Sequence, residues 1–264
     1  MMRVARLTYL NCAPFYWSCE NWGLPLVPCV PRELGQLARR GEVDAGPMAV
    51  VDWFSLEREF EPVGSYGIAS HGSVLSVLLF SSKPIDGLAD SAIGVTEETS
   101  TSFRLLQLLL EGRYGLKGCS FRRGGHGQAC LLIGDAALEE MKKAKWPFVY
   151  DLADEWQRWQ GSPFVFARWV IRSSLPASEK RRMEKSLDTS FTGSMARLED
   201  VAAHYAGQGS LQPEEIVAYL RNLVFVIGEA EERGLAEFKR LLADKGQSVK
   251  RKEQSAVADI KRPA

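Results

Sequence analysis

The residues from Ser91 to Leu110 constrain the fold of this chain more than any other stretch, because they combine three kinds of residue in a fixed order. A short apolar segment, S-A-I-G-V, leads to the hydroxyl-rich residues T-S-T-S and then to the apolar run F-R-L-L-Q-L-L-L. This order is typical of a β-strand, a capped helix start and a buried helix. It predicts an α/β protein.

The hydroxyl residues at the start of this helix also indicate a function. One of Ser100, Thr101 and Ser102 is expected to be the N-cap, with its side-chain oxygen accepting an unpaired backbone N–H. The remaining N–H groups, the neighbouring hydroxyls and the positive end of the helix dipole would then suit a carboxylate or phosphate. An ordinary capped helix without a ligand explains the same residues, so this stretch alone leaves both interpretations open.

Three further polar residues lie near predicted strand ends. Asn11 follows the strand predicted over 4–10, which Pro14 prevents from continuing, so Asn11 either faces a ligand or caps the next helix. Ser76 interrupts the apolar run 72–80 and either hydrogen-bonds within the core or faces the cleft. His71, just before that run, is either an acid/base group or a loop histidine without a role.

Composition argues for a cytoplasmic protein that binds a small molecule. Lys+Arg and Asp+Glu both number 33, so the formal charge is zero and neither nucleic acid nor a membrane is an expected partner. The five cysteines lack a C-x-x-C pair and only three histidines accompany them, so no metal and no cofactor are expected. The apolar segment near the start is broken by Arg6 and Asn11, so it is not expected to be a signal peptide, and no apolar run approaches the ~18 residues of a membrane span.

Nucleotide-binding, serine-hydrolase and zincin motifs are absent, and the glycine-rich residues 124–127 precede a strand, which indicates a surface loop. Helical periodicity predicts one long helix over 177–206, or a pair kinked at Gly193, then a helix from Pro213 and a last helix ending at Lys245–Gly246. The charged residues 247–264 are predicted to be disordered. The apolar runs 72–80 and 162–171 are expected crossings between two domains.

Several segments, taken in order, resemble the MqnA/MqnD family of menaquinone biosynthesis proteins. They cover roughly residues 3 to 245 and comprise L-T-Y-L-N-C-A-P-F at 7–15, G-E-V-D-A-G-P at 41–47, S-V-L-S-V-L-L-F-S at 73–81, T-S-T-S at 99–102, L-L-I-G-D-A-A-L at 131–138, Y-D-L-A-D-E-W with G-S-P-F-V-F-A at 150–167, and Y-L-R-N-L and G-L-A-E-F near the end. Each segment alone is weak, whereas the combination is specific.

The resemblance implies a two-domain type II periplasmic-binding-protein-like fold, in which each domain is a mixed sheet flanked by helices and the ligand cleft lies between them. Domain one is then expected at 1–82 plus 172–245, domain two at 83–171, and the tail at 246–264. On this map the expected substrate-binding residues come from both domains: Asn11, Met48, Ala49, Val50, Ser76, Ser100, Thr101, Ser102, Gly134, Asp135 and Ala136.

The resemblance also implies the activity of a chorismate dehydratase, a hydro-lyase of the futalosine pathway of menaquinone biosynthesis. It would eliminate water from chorismate, a small dianion, to give 3-[(1-carboxyvinyl)oxy]benzoate. Asn11, which matches the family's L-N-x-x-P position, is the expected catalytic residue because it can orient the substrate and hydrogen-bond the leaving oxygen or a carboxylate. The proton acceptor is hypothesised to be the substrate's enolpyruvyl carboxylate, with Asp135 and His71 as alternatives.

Two other functions remain open, and Cys12, next to Asn11, has an expected role of its own. A binding protein of the same fold would hold a small carboxylate without turnover, and the related dihydroxynaphthoate synthase MqnD typically has S-T-C-P-N-D-T where this chain has L-N-C-A-P-F. Cys12 is expected to be structural, because a dehydration needs no nucleophile. Monomer and homodimer both remain open.

Overall fold

The structure is a computed structural model that describes residues 1–124 and 127–260. Gly125 and His126 of the predicted glycine-rich loop lie outside the described residues, as do residues 261–264. The strands are β1 (Val4–Arg6), β2 (Leu26–Pro28), β3 (Ala45–Ala49), β4 (Phe60–Ser70), β5 (Val77–Ser81), β6 (Ala92–Val95), β7 (Ser120–Arg123), β8 (Ala129–Ile133), β9 (Phe148–Asp151), β10 (Phe164–Arg172) and β11 (Val224–Val226).

Helices alternate with these strands along most of the chain, which is the pattern of an α/β protein. They are α1 (Ala13–Tyr16), α2 (Pro31–Arg39), α3 (Val50–Phe54), α4 (Thr101–Leu108), α5 (Gly134–Lys142), α6 (Leu152–Gln160), α7 (Ala177–Met195), α8 (Leu198–Tyr205), α9 (Pro213–Asn222) and α10 (Glu229–Ile260). Within the described part of the chain, no helix is both long and apolar enough to cross a bilayer.

The strands form two mixed sheets. The first sheet has the order β11-β4-β10-β3-β1-β2, with β1 parallel to β2 and β3, and β10 antiparallel to β3 and β4. The second has the order β7-β6-β8-β5-β9, with β6 parallel to β7 and β8, and β5 antiparallel to β8 and β9. Buried aromatic side chains such as Phe15 and Trp169, whose ring centroids are 5.6 Å apart, anchor helices on the first sheet.

The chain crosses between the sheets twice, but not where the sequence placed the boundaries. It leaves the first sheet after Ser70 and enters the second at Val77, then leaves the second after Asp151 and returns at Phe164. The predicted boundaries put β5 in domain one and β10 in domain two, and sheet pairing does the reverse. Both runs are mostly apolar, so their sequence carries no sign of which sheet they join; the pairs Val77↔Ile133 and Ala167↔Ala49 decide it.

Two helix predictions also need correction. The region 177–206 is a pair of helices, but the break falls after Met195 and not at Gly193, which lies inside α7. The last helix does not end at Lys245–Gly246: α10 continues to Ile260, through residues predicted to be disordered. That segment is rich in Lys, Arg, Glu, Gln and Ala, which have high helix propensity even without an apolar face to bury.

Candidate functional site

A cleft between the two sheets brings together residues that are far apart in the chain. It encloses about 600 Å³ of empty space, part of it open to solvent. Its lining residues come from both sheets and their connections: Leu7, Tyr9, Asn11, Cys12, Pro31, Pro47, Ala49, Ile68, Val74, Ser76, Val77, Thr99, Ser100, Thr101, Ser102, Ile133, Gly134, Phe166 and Ala167. The predicted residues Asn11, Ala49, Ser76, Ser100, Thr101, Ser102 and Gly134 all belong to this set.

Asn11 reaches the cleft because the chain turns sharply after β1. The residues Leu10–Cys12 form one 3₁₀ turn, and α1 begins directly after it with Pro14 in its first turn. Neither the turn nor α1 has a side-chain cap, so the alternative role of Asn11 as a helix cap does not apply. Its Oδ1 is buried and has no hydrogen-bond partner among the residues that the structure describes. A buried amide oxygen without a donor is costly, which makes it a candidate ligand contact.

Tyr9 also lines the cleft and was not predicted. Its Oη is buried and has no hydrogen-bond partner in the described part of the chain. Its ring lies near Gly134 at the start of α5, where an added Cβ would meet it at 3.4 Å. The sequence signal was weak, since an aromatic residue in a predicted apolar strand is most simply a core residue. Tyr9 sits two residues before Asn11, and that adjacency was the available hint.

The start of α4 forms part of the facing wall. Ser100 is its N-cap residue, as predicted, but the predicted cap hydrogen bond is wrong because no side chain caps this helix. The Ser100 hydroxyl instead donates to Asp52 Oδ2 at 2.7 Å, and Thr101 Oγ1 accepts from the Val51 N–H at 3.4 Å. The first-turn N–H groups of α4 therefore have no capping side chain, and the helix dipole points its positive end at the cleft.

The Asp52 carboxylate lies near the same helix start, and its negative charge would by itself disfavour an anion in the cleft. Asp52 Oδ1 lies 3.6 Å from Arg39 Nη2, and both residues belong to the first-sheet side of the molecule. The Arg39 guanidinium offsets the Asp52 charge, so the α4 dipole and the hydroxyls still favour an anion in the cleft.

Ser76 satisfies both interpretations offered by the sequence. It lies in the crossing segment just before β5 and lines the cleft, and it also accepts a hydrogen bond of 2.8 Å from the Tyr219 hydroxyl in the core. Burial raises the pKa of Tyr219, so its phenol stays protonated and acts as the donor. Tyr219 thereby leaves the Ser76 proton available, apart from a long 3.5 Å contact with the Val74 carbonyl. No local sequence pattern connects residue 219 with residue 76.

Four predicted site residues do not line the cleft. Met48 and Val50 are fully buried: Met48 faces away from Ala49 because strand side chains alternate, and Val50 begins α3. Ala136 is exposed, and Asp135 turns into a neighbouring crevice, where its Oδ1 accepts the Leu10 N–H at 3.2 Å. Successive helix residues rotate by about 100°, so only Gly134 at the start of α5 faces the cleft.

The two candidate bases carried by the protein are both outside the cleft. Burial raises the pKa of Asp135, with the Leu10 N–H acting in the opposite direction. The His71 side chain is 58% exposed, and its Nε2 lies 2.5 Å from Glu231 Oε1 at the start of α10. Among the described residues that line the cleft there is neither a carboxylate nor a histidine.

Cys12 lines the cleft, but its thiol is not reactive. Burial, with the Asp135 charge adding to it, raises the pKa of the Cys12 thiol far above its usual value, so the thiolate is not available. The described residues contain no group of three or more His, Cys, Asp or Glu side chains arranged to hold a metal ion.

Comparison with known sequences places the chain beside menaquinone biosynthesis proteins. A family model described as menaquinone biosynthesis matches residues 2–244. A chorismate dehydratase from Thermus thermophilus is 28% identical over 257 residues, which cover 89% of this chain and 92% of that protein.

Solved structures confirm the predicted fold class. A protein from Archaeoglobus fulgidus superposes with a TM-score of 0.78 at 14% identity, over 93% of this chain and 98% of that one. The periplasmic aliphatic sulphonate binding protein of Escherichia coli gives a TM-score of 0.65 at 13% identity, over 94% and 92%. At these identities the likeness concerns the fold: a periplasmic-binding-protein fold with two mixed sheets flanked by helices.

Proposed function

The chain belongs to the menaquinone biosynthesis family, and from this premise we propose that it is a chorismate dehydratase that binds its substrate in the cleft between the two sheets. The relative from Thermus thermophilus that carries that name is similar over nearly the whole chain. The observation that carries the proposal is the chemistry of the cleft, which combines an uncapped helix start with an unpaired buried amide oxygen. Chorismate has the complementary groups.

The two carboxylates of chorismate account for the polar wall at α4. Ionised carboxylates accept hydrogen bonds and cannot donate them. The first-turn N–H groups of α4 and the hydroxyls of Thr101 and Ser102 are donors gathered at the positive end of a helix dipole. We assign one carboxylate to this position, and Ser76, whose proton Tyr219 leaves free, is available to the other.

The substrate hydroxyl accounts for Asn11. Of the polar groups of the chorismate dianion, the C4 hydroxyl is the one that carries a proton, and Asn11 Oδ1 is an acceptor without a donor. Asn11 therefore holds the C4 hydroxyl and fixes the ring in the cleft. Dehydration breaks the C3–H and C4–O bonds, forms a ring double bond and releases water, leaving the aromatic 3-[(1-carboxyvinyl)oxy]benzoate.

The proton acceptor is best supplied by the substrate itself. Asp135 and His71, the two protein groups considered for this role, do not line the cleft, and the Cys12 thiol is held neutral. The enolpyruvyl group, which carries this carboxylate, is joined through its ether oxygen to C3, the ring carbon that bears the proton, so binding in a fixed conformation brings carboxylate and proton together. The protein then contributes orientation, from residues on both walls of the cleft.

A turnover assay tests the proposal. Purified protein is incubated with chorismate, and the aromatic product is followed by ultraviolet absorbance and identified by mass spectrometry. Asn11→Ala should reduce kcat/KM by about 100-fold or more, because it removes the acceptor for the hydroxyl. Asn21→Ala is the matched control, since Asn21 is an exposed asparagine whose side chain donates to Glu20; it should keep wild-type turnover.

The outcomes separate the alternatives. Tight binding of chorismate without product would favour the binding-protein alternative, and no binding would exclude both. Wild-type rates in Asn11→Ala would remove its proposed role while leaving the activity in place. The five cysteines are free thiols, which supports a reducing compartment, and we place the reaction in the cytoplasm.

A further inference from the structure

The Tyr9 hydroxyl is an unpaired donor in the wall of the cleft. Its oxygen is buried, Tyr9 lines the same space as Asn11, and within residues 1–124 and 127–260 this oxygen has no hydrogen-bond partner. Other buried tyrosines of this molecule are paired: Tyr16 donates to the Ala5 carbonyl at 2.7 Å, and Tyr219 donates to Ser76 at 2.8 Å. Buried phenols usually find a partner, so an unpaired one in a cleft is matched to a ligand.

The position of Tyr9 is fixed by the opposite side of the cleft. Its ring rests on Gly134, whose φ of +59° favours glycine and whose N–H donates to the Ser76 carbonyl at 2.7 Å. A Cβ at position 134 would lie in ordinary van der Waals contact with the Tyr9 ring, at 3.4 Å. Tyr9 is therefore held across the seam between the first sheet and α5, and its hydroxyl cannot swing out to solvent without opening that contact.

Two unpaired groups in one wall limit what they can bind. Asn11 Oδ1 needs a donor, and a tyrosine hydroxyl can donate or accept. A carboxylate would satisfy Tyr9 but not Asn11 Oδ1, whereas a single hydroxyl donates its proton to one group and accepts a proton from the other. We propose that the Tyr9 hydroxyl donates a hydrogen bond to the C4 oxygen of the substrate, the oxygen that leaves as water, while Asn11 accepts from it. This inference rests on the proposed function.

This hydrogen bond would assist the breaking of the C4–O bond as well as substrate binding. As the C4–O bond breaks, negative charge develops on the departing oxygen, and a hydrogen bond donated to it becomes stronger. The aromatic product has lost that oxygen, so it has no group for Tyr9 to contact at this position. Tyr9 is accordingly a catalytic residue that distinguishes the substrate from the product.

Tyr9→Phe tests the proposal in the full-length protein. It should lower kcat/KM for chorismate by about 10- to 100-fold, the effect of one lost hydrogen bond to a charged or developing-charge oxygen. The affinity for 3-[(1-carboxyvinyl)oxy]benzoate, measured by calorimetry, should stay unchanged. The melting temperature should equal or exceed that of the wild type, because Phe removes a buried hydroxyl that the protein leaves unpaired. Tyr66→Phe is the control, since that hydroxyl bonds Asp188 at 2.6 Å outside the cleft; it should keep wild-type kcat/KM.

Each other outcome has one meaning. An active wild type with equal kcat/KM in Tyr9→Phe overturns this inference alone. A parallel loss of substrate and product affinity overturns the assignment to the leaving oxygen, because Tyr9 would then contact a group that both molecules share. A lowered melting temperature with unchanged kinetics would show a structural residue. A wild-type protein that leaves chorismate unchanged overturns the proposed function, and this inference with it.

Discussion

Asp135 and Asn11 are polar residues that each follow a strand predicted from the sequence, and the structure gives them opposite environments. Asn11 lines the cleft and its oxygen is unpaired, whereas Asp135 lines the neighbouring crevice and accepts a hydrogen bond from the Leu10 N–H. Their positions in the sequence look equivalent, since each ends a predicted strand before a helix. The difference comes from one residue of helical rotation at α5, which aims Gly134 at the cleft and Asp135 away from it.

Asp135→Asn should therefore have little effect on turnover and a measurable effect on stability. The kcat/KM should stay within about threefold of wild type, as for most substitutions away from a site. Burial raises the folded-state pKa of Asp135, so the folded protein binds its proton more tightly than the unfolded chain does. That contribution to stability is present below the unfolded-state pKa, about 3.9, and is lost as pH rises through the folded-state value.

The amide carries no charge and can still accept from Leu10, so Asp135→Asn should unfold at higher urea concentration than the wild type at pH 7. The difference should shrink as the pH is lowered through the titration of the wild-type carboxyl. Equal urea midpoints at pH 7, or a difference that grows at low pH, would contradict this. A large loss of kcat/KM would return Asp135 to the list of candidate bases.

For single residues, the sequence indicated which polar side chains could belong to the site better than it indicated which groups those side chains contact. The hydroxyls at 100–102 lie at the start of α4, as expected, whereas β1 ends at Arg6 and Asn11 lies in a 3₁₀ turn beyond it; all four side chains line one cleft. Tyr9 was missed because an unpaired hydroxyl is a property of its surroundings, which no local pattern encodes. The predicted cap bond failed for the same reason: Asp52, 48 residues away, competes for the Ser100 hydroxyl.

Among the secondary-structure elements, α6 and the crossing segment 71–76 are joined through one carboxylate. Asp151 is the N-cap of α6, and its Oδ1 accepts from the N–H groups of Ala153 at 3.0 Å and Asp154 at 3.3 Å. Its Oδ2 accepts the Leu75 N–H at 2.7 Å. Leu75 has a φ of +65°, unusual for a branched residue, so this bond holds a strained turn directly before Ser76.

Asp151→Ala should lower the free energy of unfolding by about 1–3 kcal/mol, through the lost cap and the released turn. Asp151→Asn should cost less, because an amide oxygen still accepts. Asp154→Ala is the control in the same helix: it removes an exposed ion pair with Arg158, of 2.8 Å, which contributes little. Chemical denaturation of the three variants gives the comparison. Equal losses in Asp151→Ala and Asp154→Ala would show that the turn is held by other contacts.

Element boundaries were predictable where a residue type enforces them. Pro31 and Pro213 begin α2 and α9, as expected from the proline in a first helical turn. Sheet membership was not predictable for β5 and β10, because a strand buried on both faces has no alternation that reveals its neighbours. The resemblance to a family supplied two sheets and two crossings, while the pairing of strands fixed where the crossings lie.

For the molecule as a whole, net charge conceals an uneven distribution. Three arginines, Arg32, Arg104 and Arg123, lie near residues that line the cleft. Arg32 follows Pro31, and Arg123 donates to the Thr99 carbonyl at 3.2 Å. The guanidinium groups of Arg104 and Arg123 lie 5.9 and 5.4 Å from the ring centroid of Phe103, next to Ser102. Glu97 and Glu98 are close by, but it is their carbonyls that Arg32 contacts. A formal charge of zero is thus compatible with attraction of an anion to the cleft.

The kcat/KM for chorismate should fall by about two- to tenfold between roughly 0.02 and 0.3 M sodium chloride, since salt screens charges beyond the Debye length. Arg32→Gln should lower kcat/KM at low salt and flatten this dependence. Arg240→Gln, which removes an arginine paired with Glu237 and Asp244 on α10, should leave the slope unchanged. Equal slopes in both variants would mean that these charges do not guide the substrate.

The interleaving of the first sheet has a consequence for synthesis on the ribosome. The strands β3 and β4 are not neighbours; β10 lies between them, and it begins at Phe164 whereas β4 ends at Ser70. The second sheet, in contrast, is made of one continuous stretch, from Val77 to Asp151. As the chain emerges, the second sheet can form before the first is complete, although β1 to β4 are synthesised earlier. Until β10 is available, β3 and β4 keep unpaired edges, to which strands of other chains can bind. A nascent chain stalled before residue 164 should accordingly depend most on chaperones.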